Sequence, residues 1–466
     1  MFDQLQERLE AALERIRGKQ PPPAAGPASG RIIRNVMDAS FLRDQLDTIR
    51  AQAAAQPGAN RLAPAAYDAA YEELNAATAP GAPRVPFMPR TATNSILQSA
   101  LTECIESRAG QLLTAAPDGV GRLAHAVLSD VEIFRRFGPC DPLWIETKLA
   151  EGVAMFGRRP AFPDSPAPTV PLADDARVVI VGDWGTGLPG AVQVATEIGK
   201  WIEAGRGREQ HVIHLGDVYY SGWREEYESR FLRHWPVGAD EREVLCWSLN
   251  GNHDMYSGGH GYFGFLLHDP RFRGHWRGDP DNQTPSSYFS LENDHWQILG
   301  LDSGYLDHDL AGAQQQWLAD KLRAGRRTML LSHHQPFSAY ESSVSQSMTN
   351  KVRAAVPADR PLDAWIWGHE HRCTVYANRP VPWLQFGSCI GHGGVPQVLP
   401  DPPLPGPAAP DDPGYAPLTW AYSGSAPADG NEWLRFGFAV LDFSGASVSI
   451  AYLDEDNVQA HRVTLP

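Results

Sequence analysis

A series of short motifs holds the side chains best suited to chemistry: Asp183 in GDWG, Asp217 and Tyr220 in GDVYY, Asn252 and His253 in GNHD, His334 in SHHQP, and His369 with His371 in GHEH. Carboxylate, phenolate, amide and imidazole make a mixed oxygen and nitrogen donor set, which suits iron, manganese or zinc rather than calcium or a thiolate-bound metal. Seven candidate ligands (Asp183, Asp217, Tyr220, Asn252, His334, His369, His371) exceed the roughly four that one tetrahedral ion takes. They suit two ions about 3.5–4 Å apart with a shared carboxylate, the arrangement that stabilises both the attacking and the leaving oxygen of an in-line displacement at phosphorus. Each motif alone is weak, because Gly-Asp and Gly-His are ordinary turn chemistry. The signal lies in their order, their shared donor type and their place after apolar runs.

Those runs are the elements that must position the donors. From Arg177 onward RVVIVGDW, HVIHLGD, EVLCWSLNGNHD, HWQILGLDSG, RTMLLSHH and AWIWGHEH are short, apolar and rich in β-branched residues, and each stops at Gly, Asp, Asn or His. Continuous apolar runs of this length read as buried strands. Ligands of layered α/β folds bind beyond the strand ends, where polar residues emerge. Helical segments such as AVQVATEIGKWIEAG and QQQWLADKLRAG intervene, and the tail FGFAVLDFSGASVSIAYL predicts a hairpin closing a sheet edge.

Some neighbours compete for the same role. His333 and His334 are adjacent, so on a strand they point to opposite faces. The H-x-P spacing to Pro336 selects His334, with His333 packing behind the site. The GD-x-x-Y spacing selects Tyr220 over Tyr219. His211 and His214 sit inside an apolar run and read as satisfied core histidines. HEHRC is not the zinc-protease H-E-x-x-H, because position 373 is Cys373. His260 and His392, in the glycine-rich stretches 255–263 and 387–394, read either as pocket rim or as exposed loop.

The chain has 466 residues, beyond the roughly 250–300 at which single cores stop growing, so a catalytic domain with an attachment is expected. Residues 1–30 read as an amphipathic helix (Phe2, Leu5, Leu9, Ala12, Leu13, Ile16) and a Pro-rich linker. Residues 31–170 read as a mainly helical accessory region, and 171–466 as the catalytic domain, with a Pro/Gly-rich loop at 399–431. Lys and Arg number 40 against 55 Asp and Glu, a formal net charge of −15 without a basic cluster. That balance argues against a nucleic-acid polymer as partner but admits a small phosphorylated substrate. Cys104, Cys140, Cys246, Cys373 and Cys389 are odd in number and lack a CxxC pair, which fits neither a disulfide scaffold nor a zinc ribbon. No signal-peptide core and no run of ~18 apolar residues is present, so the reading is a cytoplasmic protein with no membrane partner.

The series GD-x-G, GD-x-x-Y, GNH-D, H-x-P and GH-x-H, over roughly residues 175–395, resembles the calcineurin-like metallophosphoesterase superfamily and, within it, the purple acid phosphatases. The resemblance implies a four-layer α/β/β/α sandwich with a dinuclear centre. Many members carry Asp-x-His in the first motif, where this chain has Gly185; Tyr220 stands where the purple acid phosphatases place a metal-bound tyrosinate. The implied centre holds Fe(III) on Asp183, Asp217, Tyr220 and His371, and divalent Fe, Zn or Mn on Asp217, Asn252, His334 and His369. His253 would then face the substrate, to stabilise the transition state or protonate the leaving group, and Asp254 would either orient it or cap the loop. The implied activity is hydrolysis of a phosphate ester by a metal-activated hydroxide, as a phosphomonoesterase. A phosphodiesterase or nucleotidase (including cyclic-nucleotide hydrolysis) on the same scaffold is the first alternative, and a non-catalytic metal-binding scaffold the second.

Overall fold

The computed structural model describes residues 38–55, 62–82, 87–115, 142–156, 158–163, 169–273, 286–323, 326–341, 344–397, 399, 414–428 and 431–466. The predicted N-terminal helix and linker, and residues 400–413 and 429–430 of the predicted 399–431 loop, lie outside the described residues, while Leu418–Ala421 and Ser425–Ala428 within that predicted loop form strands. The chain divides into two compact units, one of Met1–Arg159 with Tyr219–Ser221 and Tyr256–Gly258, the other of the remainder.

The first unit is helical where it is described: α1 (Ala39–Ala55), α2 (Pro64–Ala77), α3 (Ala92–Ala115) and α4 (Pro142–Phe156). Pro64 opens α2 at a position whose N–H would lack a helical partner anyway. Leu42, Leu46 and Ile49 of α1 recur at helical spacing and pack with Leu74, Ile96, Leu97, Leu101, Ile145 and Leu149 in one core. Within this unit the Ser95 hydroxyl donates to the Tyr220 carbonyl. One cysteine departs from expectation: Cys104 is disulfide-bonded, a bond that oxidising compartments favour and the cytoplasm does not. The other described cysteines, Cys246, Cys373 and Cys389, are free and buried. No helix among the described residues is long and apolar enough to cross a membrane.

The second unit is built on two sheets. In chain order its strands are β1 (Thr169–Pro171), β2 (Arg177–Val181), β3 (Gln210–His214), β4 (Val244–Ser248), β5 (Phe289–Glu292), β6 (Trp296–Gly300), β7 (Arg327–Ser332), β8 (Ala364–Trp367), β9 (Cys373–Tyr376), β10 (Gly387–Ile390), β11 (Leu418–Ala421), β12 (Ser425–Ala428), β13 (Asn431–Leu434), β14 (Gly437–Ser444), β15 (Ser447–Asp454) and β16 (Gln459–Leu465). One sheet runs β16-β15-β14-β2-β3-β4 and the other β1-β5-β6-β7-β8-β10-β9-β11; β12 and β13 form a separate ribbon. β2, β3 and β4 are parallel, as are β6, β7, β8 and β10.

Side-chain alternation sets the layers. Val178 and Ile180 of β2 share a core with Ile213 and Leu245 of their own sheet and with Ile298, Met329, Leu331 and Ile366 of the other. Val179 and Val181 face the opposite way, onto Val194 and Ile198 of helix α5 (Pro189–Ala204). On the far side of the second sheet Leu299, Leu330, Trp365 and Trp367 pack with Trp317 and Leu318 of α6 (Gln314–Arg323) and Met348 and Val352 of α7 (Ser347–Ala355). The result is helices, sheet, sheet, helices, the expected α/β/β/α sandwich. Because these strands are covered on both faces they read as unbroken apolar runs; each fully buried aliphatic side chain contributes roughly 1.5–3 kcal/mol. The predicted tail hairpin is β14–β15, but β14 lies inside the sheet against β2, and the edge is β16.

Candidate metal centre

The sequence-predicted donors emerge at one end of the strands. Asp183 follows β2, Asp217 follows β3, Asn252 and His253 follow β4, His333 and His334 follow β7, and His369 and His371 follow β8. The carboxyl ends of the two sheets meet there: Asp183 Oδ2 accepts the His369 amide at 2.8 Å, and Asp217 Oδ2 lies 3.4 Å from His333 Nε2. The turns are sharp. Asp183, Asp217, His369 and His371 have φ of 55°, 76°, 67° and 51°, a left-handed conformation that costs a non-glycine residue and that clusters at functional sites. Asp307 and His308 share it, at 47° and 59°. Of the eight non-glycine residues with positive φ among the described residues, these are six, which marks one strained neighbourhood rather than scattered turns.

Three groups of donors result. Asp183, Asp217 and His371 form the first; Asp217, His333 and His369 the second; His308, His334 and His369 the third, with the ligand atoms of each group within 4.8 Å of one another. Asp217 is common to the first two. Asn252 joins the second group through Oδ1, 3.1 Å from His333 Nε2, which is also 3.1 Å from His369 Nδ1. In the first group His371 Nε2 lies 3.4 Å from Asp183 Oδ1, and Gln397 Nε2 donates to His371 Nδ1 at 3.1 Å.

Two glycines show how closely the donors are set. A Cβ on Gly251 would collide with Asp217 Oδ1 and come within 2.6 Å of the His333 ring. At Gly185, where many members of the resembled superfamily carry histidine, a Cβ would stand 2.9 Å from the Asp217 carbonyl and from the Val218 backbone. The pairing of Gly185 with Val218 leaves no room for an imidazole on this backbone.

Electrostatics favour a cation. Burial raises the Asp217 carboxyl, but the imidazoles of His333, His253 and His371 outweigh it and hold the group below the usual carboxylate range. Burial lowers the His333 imidazole, and the carboxylates of Asp217, Asp183 and Asp254 reverse that and raise it. Fully buried carboxylates here require positive charge beside them. A metal ion on the same donors would supply it, so the donor set fits an ion in each of the first two groups.

Asp254 holds the scaffold behind these donors. Its carboxylate accepts the amides of Gly251 at 2.7 Å, Asp217 at 2.8 Å and Val218 at 3.1 Å, and the Tyr227 hydroxyl. It thereby ties the GDVYY turn to the GNHD turn, the geometry of a loop cap rather than of a partner orienting the His253 ring. The His253 amide donates to Asp217 Oδ1 at 3.0 Å, and its side chain is buried beside the donors.

The sequence reading preferred His334 as the ligand; the structure brings His333 to Asp217, Asn252 and His369 instead. Hydrogen bonding of His333 Nδ1 with the Leu215 carbonyl at 3.1 Å fixes the ring with Nε2 inward. His334 turns to the opposite face, as alternation requires, where Nδ1 meets Ser303 Oγ at 3.0 Å and the ring centre lies 3.8 Å from that of His308, tilted by 41°. Asp307 and His308 were not anticipated; their only trace in the sequence is an Asp-His-Asp run that begins five residues past Asp302. Tyr220 is buried in the turn three residues after Asp217. His211 and His214 are fully buried, bonded to Glu209 and Trp247 and to Ser248 respectively. His260 is exposed, and His392 is buried against Tyr422.

Residues 176–373 match the family model Metallophos, described as calcineurin-like phosphoesterase. Among solved structures the chain is similar to GAP50, the anchor in the inner membrane complex of Plasmodium, with 13% identity over 62% of this chain and 88% of that one and a TM-score of 0.43. It is also similar to a conserved predicted phosphoesterase from Streptococcus pneumoniae (9% identity, 62% of this chain and 95% of that one, TM-score 0.27). A Vps29 mutant from Entamoeba histolytica gives 13% identity over 62% of this chain and 99% of that one, with a TM-score of 0.27. No curated protein matches the chain significantly. The matched segment, 176–373, carries Asp183, Asp217, Asn252, His333, His369 and His371.

Proposed function

We propose that this protein is a dinuclear metal-dependent phosphoesterase of the purple acid phosphatase type, acting on small phosphomonoesters. The observation that carries this reading is the sharing of Asp217 between two donor groups at the strand ends. One ion is assigned to Asp183, Asp217, His371 and, by its spacing from Asp217, Tyr220. The other is assigned to Asp217, Asn252, His333 and His369. Fe(III) in the first site and divalent Fe, Zn or Mn in the second suit these donors. When bound, such ions supply positive charge to the phosphoryl oxygens and bring the pKa of water toward about 7.

The chain's own residues do the rest. Asp254 is a positioning residue that keeps the Asp217 and Asn252 turns in register. His253, held by its amide on Asp217, donates a proton to the leaving oxygen from its imidazole, a group whose ordinary pKa suits that task near neutrality. His253→Ala is expected to keep its metals and lose about 10²–10⁴-fold in kcat; wild-type turnover in the metal-replete variant would remove His253 from this role.

The test of the whole reading is metal analysis with a visible spectrum on the pure protein, followed by assays on monoesters and diesters in the same sample. Two ions, a tyrosinate–iron band abolished by Tyr220→Phe, and preference for monoesters are expected. A colourless, iron-free enzyme acting mainly on diesters would overturn the purple acid phosphatase assignment and select the phosphodiesterase or nucleotidase reading. A metal-replete protein inert on every phosphate ester would overturn the enzymatic reading in favour of a metal-binding scaffold.

A further inference from the structure

The third donor group is not used by the dinuclear reading except at His369. We infer that it is a separate site for a zinc-class divalent ion, held by His308, His334 and Asp307, with His369 standing between it and the dinuclear centre. His308, His334 and His369 each present a ligand atom within 4.8 Å of the others. The nearest carboxylate gives the site a third donor of its own: Asp307 Oδ1 is 3.0 Å from His308 Nδ1 and 3.4 Å from His334 Nε2.

A second observation points to a ligand. His334 is fully buried, and its Nε2 makes no well-aligned hydrogen bond among the described residues, its neighbour Asp307 Oδ1 standing 3.4 Å away. Its other nitrogen is already engaged by Ser303 Oγ at 3.0 Å, and the same hydroxyl accepts the His334 amide at 3.1 Å. A buried polar atom left without a partner costs roughly 1–3 kcal/mol. An ion on Nε2 would remove that cost, with Ser303 fixing the ring from behind as the outer partners of metal-bound histidines do. The backbone agrees, since Asp307 and His308 are consecutive left-handed residues (φ 47° and 59°) that turn both side chains toward His334.

The donors choose the ion. Two imidazoles and a carboxylate, with a fourth position left open because His369 serves the dinuclear centre, make a donor set of the zinc type, whereas magnesium and calcium take oxygen ligands. The Asp307 side chain is 63% exposed, so the site opens to solvent and can load and unload independently of the buried groups. Bound there, the ion would pin the loop 303–310 against the centre.

The experiment titrates chelator-stripped full-length protein with Co(II) and, separately, with Zn(II), counting retained metal by mass spectrometry after gel filtration and recording the cobalt absorption bands. Wild type is expected to retain three equivalents, and His308→Ala and Asp307→Ala two each, with loss of one set of cobalt bands. His333→Ala is expected to lose a different equivalent and keep the one that His308→Ala removes. Because Asp307 is solvent-exposed, Asp307→Ala keeps the test intact should His308→Ala fail to fold, and circular dichroism checks both. Saturation of wild type at two equivalents, or three equivalents retained in both variants, overturns the third site and leaves the dinuclear reading standing. If instead Asp217→Ala retains every equivalent that wild type holds, the dinuclear reading fails while the outer site is judged by His308→Ala alone.

Discussion

Asp217 and Asp307 invite comparison. Both are aspartates on left-handed backbone beside paired histidines, yet one is fully buried and the other is largely exposed. The inner turn is held from outside itself: Asp254 grips the Asp217 and Val218 amides, the His253 amide donates to Asp217, and the Leu215 carbonyl engages His333. The outer turn is held mainly through its backbone and neighbours: the His308 carbonyl accepts the Met348 amide, and Lys351 bonds Asp309 and the Leu310 carbonyl. The Asp307 carboxylate itself meets only His308 and His334 among the described residues. The inner carboxylate is therefore fixed by a backbone donor on a turn gripped by Asp254, whereas the exposed Asp307 carboxylate is fixed by two imidazoles alone. Pre-arranged charge is what electrostatic catalysis requires.

The largest effect expected falls on the shared carboxylate. Asp217→Ala removes a donor from both inner groups, and losing several kcal/mol of transition-state stabilisation corresponds to about 10³-fold or more in kcat. Asp307→Ala is expected to leave phosphoesterase activity within about tenfold of wild type. Steady-state assays on metal-replete samples check both, and equal losses would erase the distinction between inner and outer turns.

The same contrast holds for stability. Asp254→Ala strands three buried amides and the Tyr227 hydroxyl, so at about 1 kcal/mol or more for each group the loss should be about 3 kcal/mol or larger. Asp307→Ala, on an exposed loop, should fall within about 0.5 kcal/mol. Urea unfolding of the metal-free proteins measures the two, and a mild Asp254→Ala would mean that the inner turns are not held by that carboxylate. A finer division separates adjacent histidines. His333→Ala should lose the second ion and about 10²-fold in activity, on the scale of disturbances around a metal site, and His334→Ala less than tenfold. The reverse order would restore the assignment made from the H-x-P spacing.

These pairs also mark where the sequence was legible. The strands could be read because layers on both faces make VVIV, VI and MLL apolar, and the candidate donors stood out because the first two runs end near a Gly-Asp turn and the third at Ser-His-His. The H-x-P spacing pointed to His334, whereas the fold sets His333 beside Asp217, because which adjacent histidine turns inward depends on the chain past the last strand residue, Ser332, and on the Leu215 carbonyl. Asp307 and His308 lie on a loop with no periodicity, so only the folded backbone brings them to His334. β16 was missed because QAHRVTL is an edge strand exposed along most of its length, with none of the continuous apolar character that identified its neighbours. The Cys104 disulfide escaped a reading that relied on cysteine spacing.

The smallest effect concerns a carboxylate that needs no metal. Glu292, at the end of β5, has Lys321 and Arg326 beside it, the latter at 2.9 Å. Burial raises its carboxyl, but the bonds from Lys321 and Ser290 and the two cations outweigh burial and hold it below the ordinary glutamate range. A depressed folded-state value means that the unfolded chain binds the proton more readily, so the contribution to stability is present above the unfolded value of about 4.3 and is lost as pH falls through the folded one. The Glu292 side chain is only 10% exposed, so its pairing is little screened and its contribution is on the order of 1 kcal/mol. Glu292→Gln should therefore be slightly less stable than wild type at pH 7, and the gap should close as the pH falls below about 4. Chelator should leave the gap unchanged, since protein cations supply here the charge that Asp217 requires from an ion. Urea unfolding of both proteins at the two pH values, with chelator present, measures it; a gap that persists undiminished in acid would show that Glu292 acts through packing and not through its charge.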